Sequence, residues 1–439
     1  MVLPSMLWIM LWGGYNTGIE TLLDPDFPTN ALNLFHGLRA LLPILAGYIA
    51  VVSLLKNRAS PEWLIQGPIG LLMLYALIGV IPTVFLSTET LIPIYWLAVY
   101  GSVLIVLMAI SASSDPLKRF SYLLSINWVI IAAIMVNLLL ALLFLKDLAL
   151  AETEGSPLNV RAYVGELASS GQMWGMAATR NTGFGRYASI AGLVAMTRLW
   201  KGRWWVKGLW LLTLGLSLYS LILSQARTAV LGFVIASLIL LWLRKSSRPV
   251  LFAGTIFALL LLGFVGFYQG FWHFIIRGGD FDPTLSGRTE LWKDGLEMIK
   301  KSPLLGFGFH ADRIFMDGQH MHNAFLHALI QTGIIGTLPF IAAFSGIWVL
   351  LFRFHKAQNP GGGHPLEAEI IAVIVFFTIA SITESTIAFY GAAWLIVAPL
   401  IAYLQAWNHT AQTASLSFKS AQSRFHQQLT YDYNSIKRY

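Results

Sequence analysis

Apolar runs of about twenty residues recur along this chain, broken by short polar connections. Their spacing predicts about twelve membrane-spanning helices, near 2–18, 35–55, 63–86, 91–112, 121–145, 184–200, 207–224, 228–244, 249–271, 323–352, 367–384 and 387–406. An all-α polytopic membrane protein is therefore expected. A helix satisfies its own backbone polar groups in lipid, as each such run must. No small-residue cleavage site follows the first run, which is read as a retained span rather than a signal peptide.

The connections alternate in charge. Lys56 and Arg58, Lys118 and Arg119, Lys201, Arg203 and Lys207, Arg244, Lys245 and Arg248, and Arg353 and Lys356 fall in every second connection. Lys419, Arg424, Lys437 and Arg438 follow the last span. Basic residues mark the cytoplasmic side, so both termini are expected there. The formal net charge of +8 is then mainly a topology signal and gives no reason to invoke nucleic acid. With 56% hydrophobic and 11% charged residues, the composition excludes an ordinary soluble domain. There is no cysteine, so disulfides are excluded. No internal repeat is visible, which weighs against a transporter built from repeated halves.

Two long connections fall on the outer side, about 146–183 and 272–321. The organisation expected is nine spans over residues 1–271, an outer loop at 272–321, three spans over 322–406 and a polar cytoplasmic tail at 407–439. The second loop is patterned, which favours function over disorder. Ser286 is a candidate N-cap for an amphipathic helix that starts at Arg288 and displays Trp292, Leu296 and Ile299. Pro303 ends it, and Gly306 and Gly308 permit a tight turn. The next helix opens at His322 and Asn323. A helix from there to Phe352 is roughly 46 Å long, more than a hydrocarbon core of ~30 Å needs. Its first turns should stand outside the hydrocarbon, with Gly333, Gly336 and Pro339 as places to break. His322 would then sit at an outer helix end that favours the neutral imidazole a general base needs.

Several arginines lie where charge is costly. Arg227 sits in LSQARTAV between two apolar runs, Arg180 and Arg186 flank a glycine-rich turn in TRNTGFGRYAS, and Arg39 lies inside the second span. A guanidinium cannot be neutralised, and its planar fork suits phosphate oxygens, so an outer cluster would suit a lipid pyrophosphate. Bland readings stand beside these. Arg227 can snorkel, Arg39 can be a structural partner of Glu20 or of a nearby aspartate, Asn323 can be a helix cap, and the two glycines can serve packing. Asp280 and Asp282 read as solvated loop charges. His310, Asp312, Asp317, His320 and His322 form no familiar metal-ligand spacing, so no metal is assigned.

In order, SGRTELW, SPLLGFGF and His322-Asn323-x9-Gly333-x2-Gly336 resemble the bacterial superfamily of O-antigen ligases, O-antigen polymerases and protein O-oligosaccharyltransferases. LSQARTAV is similar to the family's arginine-bearing turn. The resemblance implies a GT-C-type fold in the bacterial inner membrane and a periplasmic active site without cofactor or metal. It implies an inverting transfer from an undecaprenyl-pyrophosphate-linked O-antigen donor. His322 matches the family's essential histidine, assigned here as general base; Arg227 and Arg288, and more loosely Arg180 and Arg186, would hold the pyrophosphate. The last expected span leads into a tail on the basic side, which disfavours a protein acceptor. The expected function is therefore an O-antigen ligase with a lipid A–core oligosaccharide acceptor. An O-antigen polymerase is the alternative, and a lipid-linked glycan transporter is the rival of a different class.

Overall fold

The computed structural model describes residues 2–15, 18–23, 37–57, 61–144, 150–153, 156–160, 179–199, 203–224, 226–243, 288–316, 318, 320–358 and 365–436. The chain is an all-α polytopic membrane protein. Among the described residues, seven helices are long and apolar enough to cross a membrane. The principal helices are α1 (Val2–Gly13), α2 (Leu42–Asn57), α3 (Pro68–Phe85), α4 (Leu91–Ser111), α5 (Pro116–Phe144), α6 (Asn181–Arg198), α7 (Trp204–Ser224), α8 (Arg227–Leu243), α9 (Arg288–Ile299), α10 (Ala311–Phe315), α11 (Ala324–Gln358), α12 (Pro365–Thr383) and α13 (Ala392–Ile436). Each of the expected spans meets one of them except that near 249–271, which lies outside the described residues together with Asp280, Asp282 and Ser286.

Two features depart from the sequence pattern. Among the described residues, the connection between α5 and α6 holds three short antiparallel strands, β1 (Leu150–Thr153), β2 (Ser156–Val160) and β3 (Thr179–Arg180), in the order β1-β2-β3. These strands are two to five residues long, too short for alternation to be read from sequence. The last helix also runs on past Ala406 to Ile436 without a break.

The outward faces carry large exposed apolar side chains such as Leu77, Phe85, Phe144 and Phe352, as a lipid-facing surface requires. Inside, a few polar side chains tie helices together, because an unpaired polar group in hydrocarbon is costly. Asn127 on α5 accepts hydrogen bonds from the indoles of Trp8 (2.7 Å) and Trp12 (2.9 Å) and donates to the Leu395 carbonyl (3.0 Å), joining α1, α5 and α13. Gln405 accepts from the Ile69 amide (2.8 Å) and donates to the Leu64 carbonyl (2.9 Å), fixing α13 against the start of α3. Arg198 and the Trp128 indole meet the buried Glu369 at 2.6 and 2.8 Å. Arg39 donates to the carbonyls of Gly13 (2.8 Å) and Tyr15 (3.2 Å), closing the end of α1. Its structural role thus includes backbone acceptors as well as any acidic partner.

The element that positions the site is the break in α11. Gly333 has φ 58° and ψ −165°, a conformation essentially restricted to glycine. The break exposes backbone groups that a continuous helix would pair. The segment 303–308 takes them up: the amides of Phe307 and Gly308 donate to the carbonyls of Ile330 (2.9 Å) and Gln331 (2.8 Å). In return, the amides of Ile334 and Ile335 donate to the carbonyls of Pro303 (2.8 Å) and Leu304 (3.1 Å). A Cβ on Gly333 would lie 2.3 Å from the Leu304 carbonyl, so SPLLGFGF and the two-glycine motif fold as one unit. Pro339 sits farther along α11 and does not mark the break.

Candidate active site where four helix ends meet

Arg288 opens α9 as the sequence pattern predicts. The stripe on that helix is narrower than expected. Trp292 donates its indole N–H to the Met321 carbonyl (2.7 Å), and Ile299 packs with Met321 and Ile330. Leu296 is instead exposed, and the buried contact on its side is made by Gly295, where a Cβ would strike Met321. The helix has rotated toward its smallest residue, which allows the closest approach to the chain before α11.

Asn323 is the N-cap of α11. Its Oδ1 accepts from the amides of Phe325 (2.9 Å) and Leu326 (3.0 Å), two of the donors that a helix start leaves unpaired. Its Nδ2 donates to the Ile382 carbonyl (3.0 Å) at the end of α12. The cap therefore does more than end a helix. It draws the start of α11 to the end of α12 and presents His322, at φ 46°, beside the residue that follows that end.

That residue is Glu384. Its buried carboxylate is the meeting point of the site. Arg288 Nη2 lies 3.4 Å from Oε1, Arg186 Nη2 3.9 Å from Oε2, and His322 Nδ1 3.6 Å from Oε2. Thr383 donates to Thr228 Oγ1 (3.2 Å), which ties the start of α8, where Arg227 lies, to the end of α12. The structure thus gathers Arg186, Arg288 and His322 around one carboxylate from three separate elements. Arg180 precedes α6 in β3, where its backbone pairs with Asn159; its side chain lies outside the described set. Burial alone would raise the pKa of Glu384, but the interaction with His322 and the charge of Arg186 outweigh it and hold the pKa down to about 2. The carboxylate is ionised and sits on the Nδ1 side of His322, which leaves Nε2 to take up a proton.

His320 lies under His322, with ring centroids 3.8 Å apart. Its Nδ1 accepts from the His322 amide (3.3 Å), so neutral His320 carries its hydrogen on Nε2. Burial, and next the neighbouring His322, push its pKa well below the ordinary histidine value. Behind it runs a buried polar chain. Asp312 Oδ2 accepts from the Met321 amide (3.1 Å) and stands 2.7 Å from His327 Nδ1. His327 Nε2 meets the Gln331 amide nitrogen at 2.6 Å, and Gln331 Oε1 accepts from the Tyr75 hydroxyl at 2.5 Å. The chain anchors the first two turns of α11 beneath the site.

Ligand atoms of His320, His322 and Glu384 lie within 4.8 Å of one another, close enough to hold a metal ion. This is a different set from the one the sequence spacing suggested: it replaces His310, Asp312 and Asp317 with a glutamate from another helix end. Two guanidinium groups crowd the same carboxylate, so the field there opposes a cation and favours an anion.

Residues 212–341, which include α8, α9 and the broken start of α11, match the family model described as O-Antigen ligase. The chain carries an O-antigen ligase family domain. The resemblance drawn from the motifs is borne out, and two relatives agree. The chain is 33% identical over 171 residues to the exopolysaccharide production protein ExoQ of Rhizobium meliloti, covering 32% of this chain and 39% of that protein. It is 29% identical over 197 residues to the O-antigen ligase of Pseudomonas aeruginosa, covering 41% of this chain and 45% of that one. The matched stretch thus spans less than half of each curated relative.

Glu384 is the residue that sequence reasoning missed. It lies outside the matched segment, in the short connection that follows α12. The sequence offered only a weak signal, an acidic residue at the opposite end of this span from Glu367 and Glu369.

Proposed function

We propose that the protein is an integral-membrane glycosyltransferase that moves a glycan from undecaprenyl pyrophosphate to a sugar hydroxyl of lipid A–core oligosaccharide, as an O-antigen ligase. The observation that carries this reading is the convergence of His322, Arg288 and Arg186 on one buried carboxylate within and beside an O-antigen ligase domain. The donor's pyrophosphate enters the positive corner made by Arg186, Arg227 and Arg288. His322 Nε2 takes the proton of the acceptor hydroxyl, and Glu384 stabilises the imidazolium that forms. The acceptor oxygen forms a bond to the anomeric carbon as the bond to the phosphate oxygen breaks. The arginines accept the charge that develops on the departing undecaprenyl pyrophosphate. A single displacement of this kind inverts the anomeric centre. No step calls for a metal.

The side of the membrane belongs to the same proposal. The alternating basic connections support a reading with both termini in the cytoplasm and the Glu384 corner at the periplasmic face of the bacterial inner membrane. The nine-plus-three division of spans and a GT-C-type architecture go with it. A second reading is supported by the relative named for exopolysaccharide production: the acceptor would be another lipid-linked saccharide, as in a polymerase.

The test is transfer by the purified chain from undecaprenyl-pyrophosphate-linked glycan, with lipid A–core and lipid-linked repeat as rival acceptors. Glycan on lipid A–core, lost in His322→Ala and Arg288→Ala, is the expected result. Growth on the lipid carrier selects the polymerase. Translocation in vesicles without any transfer, from folded protein, would return the chain to the transporter class.

A further inference from the structure

The two segments that carry His322 and Glu384 are both strained. Among the described residues, three non-glycine residues have positive φ: His310, His322 (46°) and Thr386 (27°). Two of these belong to the reacting pair, for one is His322 itself and the other follows Glu384 by two residues. Such a conformation is costly for a residue with a side chain, and it persists only where neighbouring contacts hold it. The pair also needs outside support. His322 Nδ1 and Glu384 Oε2 stand 3.6 Å apart, farther than a made hydrogen bond, so their alignment depends on what joins the two segments.

One side chain joins them. His320 Nδ1 lies 3.3 Å from the His322 amide nitrogen and 3.3 Å from Ser385 Oγ. The amide can only donate, so Nδ1 is an acceptor, and the Ser385 hydroxyl is its second donor. The two donors are immediate neighbours of the reacting groups, one on each side. The ring lies against His322, with centroids 3.8 Å apart, and 6.4 Å from that of Phe389. Burial, and next the neighbouring His322, keep this imidazole neutral, so the lone pair on Nδ1 is retained. A proton there would face both donors. The Asn323 bond to Ile382 ties the same helix ends, but it is made by the residue after His322 and by one two before Glu384. It fixes the ends and leaves the His322 ring to be set by something else.

We infer that His320 is a positioning residue: with one nitrogen it clamps the segment before α11 to the segment after α12, and so holds the His322 ring against the Glu384 carboxylate with Nε2 free to take the acceptor proton. It acts through His322 and touches no reacting atom. Its role in transfer rests on the transferase reading above; the clamp itself does not.

The test compares two substitutions in the detergent-purified full chain. His320→Phe keeps a ring in the stack and removes the acceptor. His320→Asn places an acceptor, Oδ1, as many bonds from the backbone as Nδ1. Without substrate, hydrogen–deuterium exchange of residues 321–323 and 384–386 should quicken roughly fivefold or more in His320→Phe and stay near the parent in His320→Asn. Ser385→Ala, which leaves every ring in place, should quicken residues 384–386. Unchanged exchange in α5 certifies the fold. In the transfer assay, His320→Phe should lower kcat about 10²-fold and leave both KM values within about twofold, and His320→Asn should recover most of the loss. Parent-like exchange in both His320→Phe and Ser385→Ala would overturn the inference, as would a parent-like kcat in His320→Phe. Equal losses in the Phe and Asn variants would overturn it too, since the ring and not its acceptor would then matter. A change confined to KM would make His320 a binding residue and refute the positioning role. If the parent transfers nothing to any acceptor, the transferase reading falls, and exchange alone decides the clamp.

Discussion

Gly333→Ala tests whether the broken helix is the frame of the site. A Cβ there meets the Leu304 carbonyl carbon and oxygen at 2.3 Å and the Leu305 nitrogen at 2.4 Å, all backbone atoms that cannot rotate away. The backbone conformation, φ 58° and ψ −165°, costs a non-glycine residue about 1–3 kcal/mol. Relieving the clash must move 303–305 off α11. Losing two of the four interlocking backbone hydrogen bonds adds about 1 kcal/mol each. The local unit should therefore open more easily by roughly 3–5 kcal/mol. Read by hydrogen–deuterium exchange, the amides of Phe307, Gly308, Ile334 and Ile335 should exchange roughly a hundred- to several-thousand-fold faster. Peptides from α5 and α13 should not change. Gly336→Ala is the comparison. Its φ is not left-handed and its Cβ meets the side chain of Thr332, so about 1–3 kcal/mol of overpacking is expected without the backbone strain. Unaltered exchange at 307–308 and 334–335 in Gly333→Ala would refute the argument that the glycine is required by the break.

Other perturbations separate chemistry from scaffold. Glu384→Gln removes the carboxylate beside His322 and should lower the single-turnover transfer rate about 10²–10⁴-fold; a rate within twofold of the parent would remove Glu384 from the mechanism. Chelation by EDTA should leave transfer unchanged, and a loss restored by one added divalent cation would instead make His320, His322 and Glu384 a metal site. Part of the pH dependence of stability comes from His310, whose pKa burial, and then the Arg313 charge, lower to about 4, and the lowered His320 adds to it in the same direction. The unfolded chain binds a proton near pH 6.5 that the folded chain refuses, so this contribution is complete above pH 6.5 and is lost as pH falls toward 4. The thermal midpoint in detergent should drop between pH 7 and pH 5, and His310→Gln should flatten that slope; an unchanged slope would show that the site does not control it.

Much of this protein was legible along the chain because its dominant constraint is local. Lipid demands that each span satisfy its own backbone, so a run of apolar residues is already a helix. The same holds for Asn323 as a cap and Pro303 as a stop, since each acts through backbone atoms within a few residues, whereas the choice of Gly333 among the three candidate breaks was made by its pairing with residues 303–308. The motif residues His322, Arg288, Arg227 and Arg186 could be singled out for a related reason: charge at the edge of hydrocarbon stands out.

Only the tertiary structure decided which of them meet and around what. Nothing local shows that the end of α12 returns to the start of α11, so Glu384 in its short connection could not be distinguished from a solvated loop acid. The Asn323 bond to Ile382 and the Thr383 bond to Thr228 bring those ends together across 59 and 155 residues of chain. The stack of Trp96 and His310 has the same origin, for the two rings come from α4 and from the turn before α10. Local backbone chemistry writes helices, caps and breaks into the sequence. The positions of their ends relative to one another depend on packing between distant segments, and that is where the candidate chemistry of this protein was assembled.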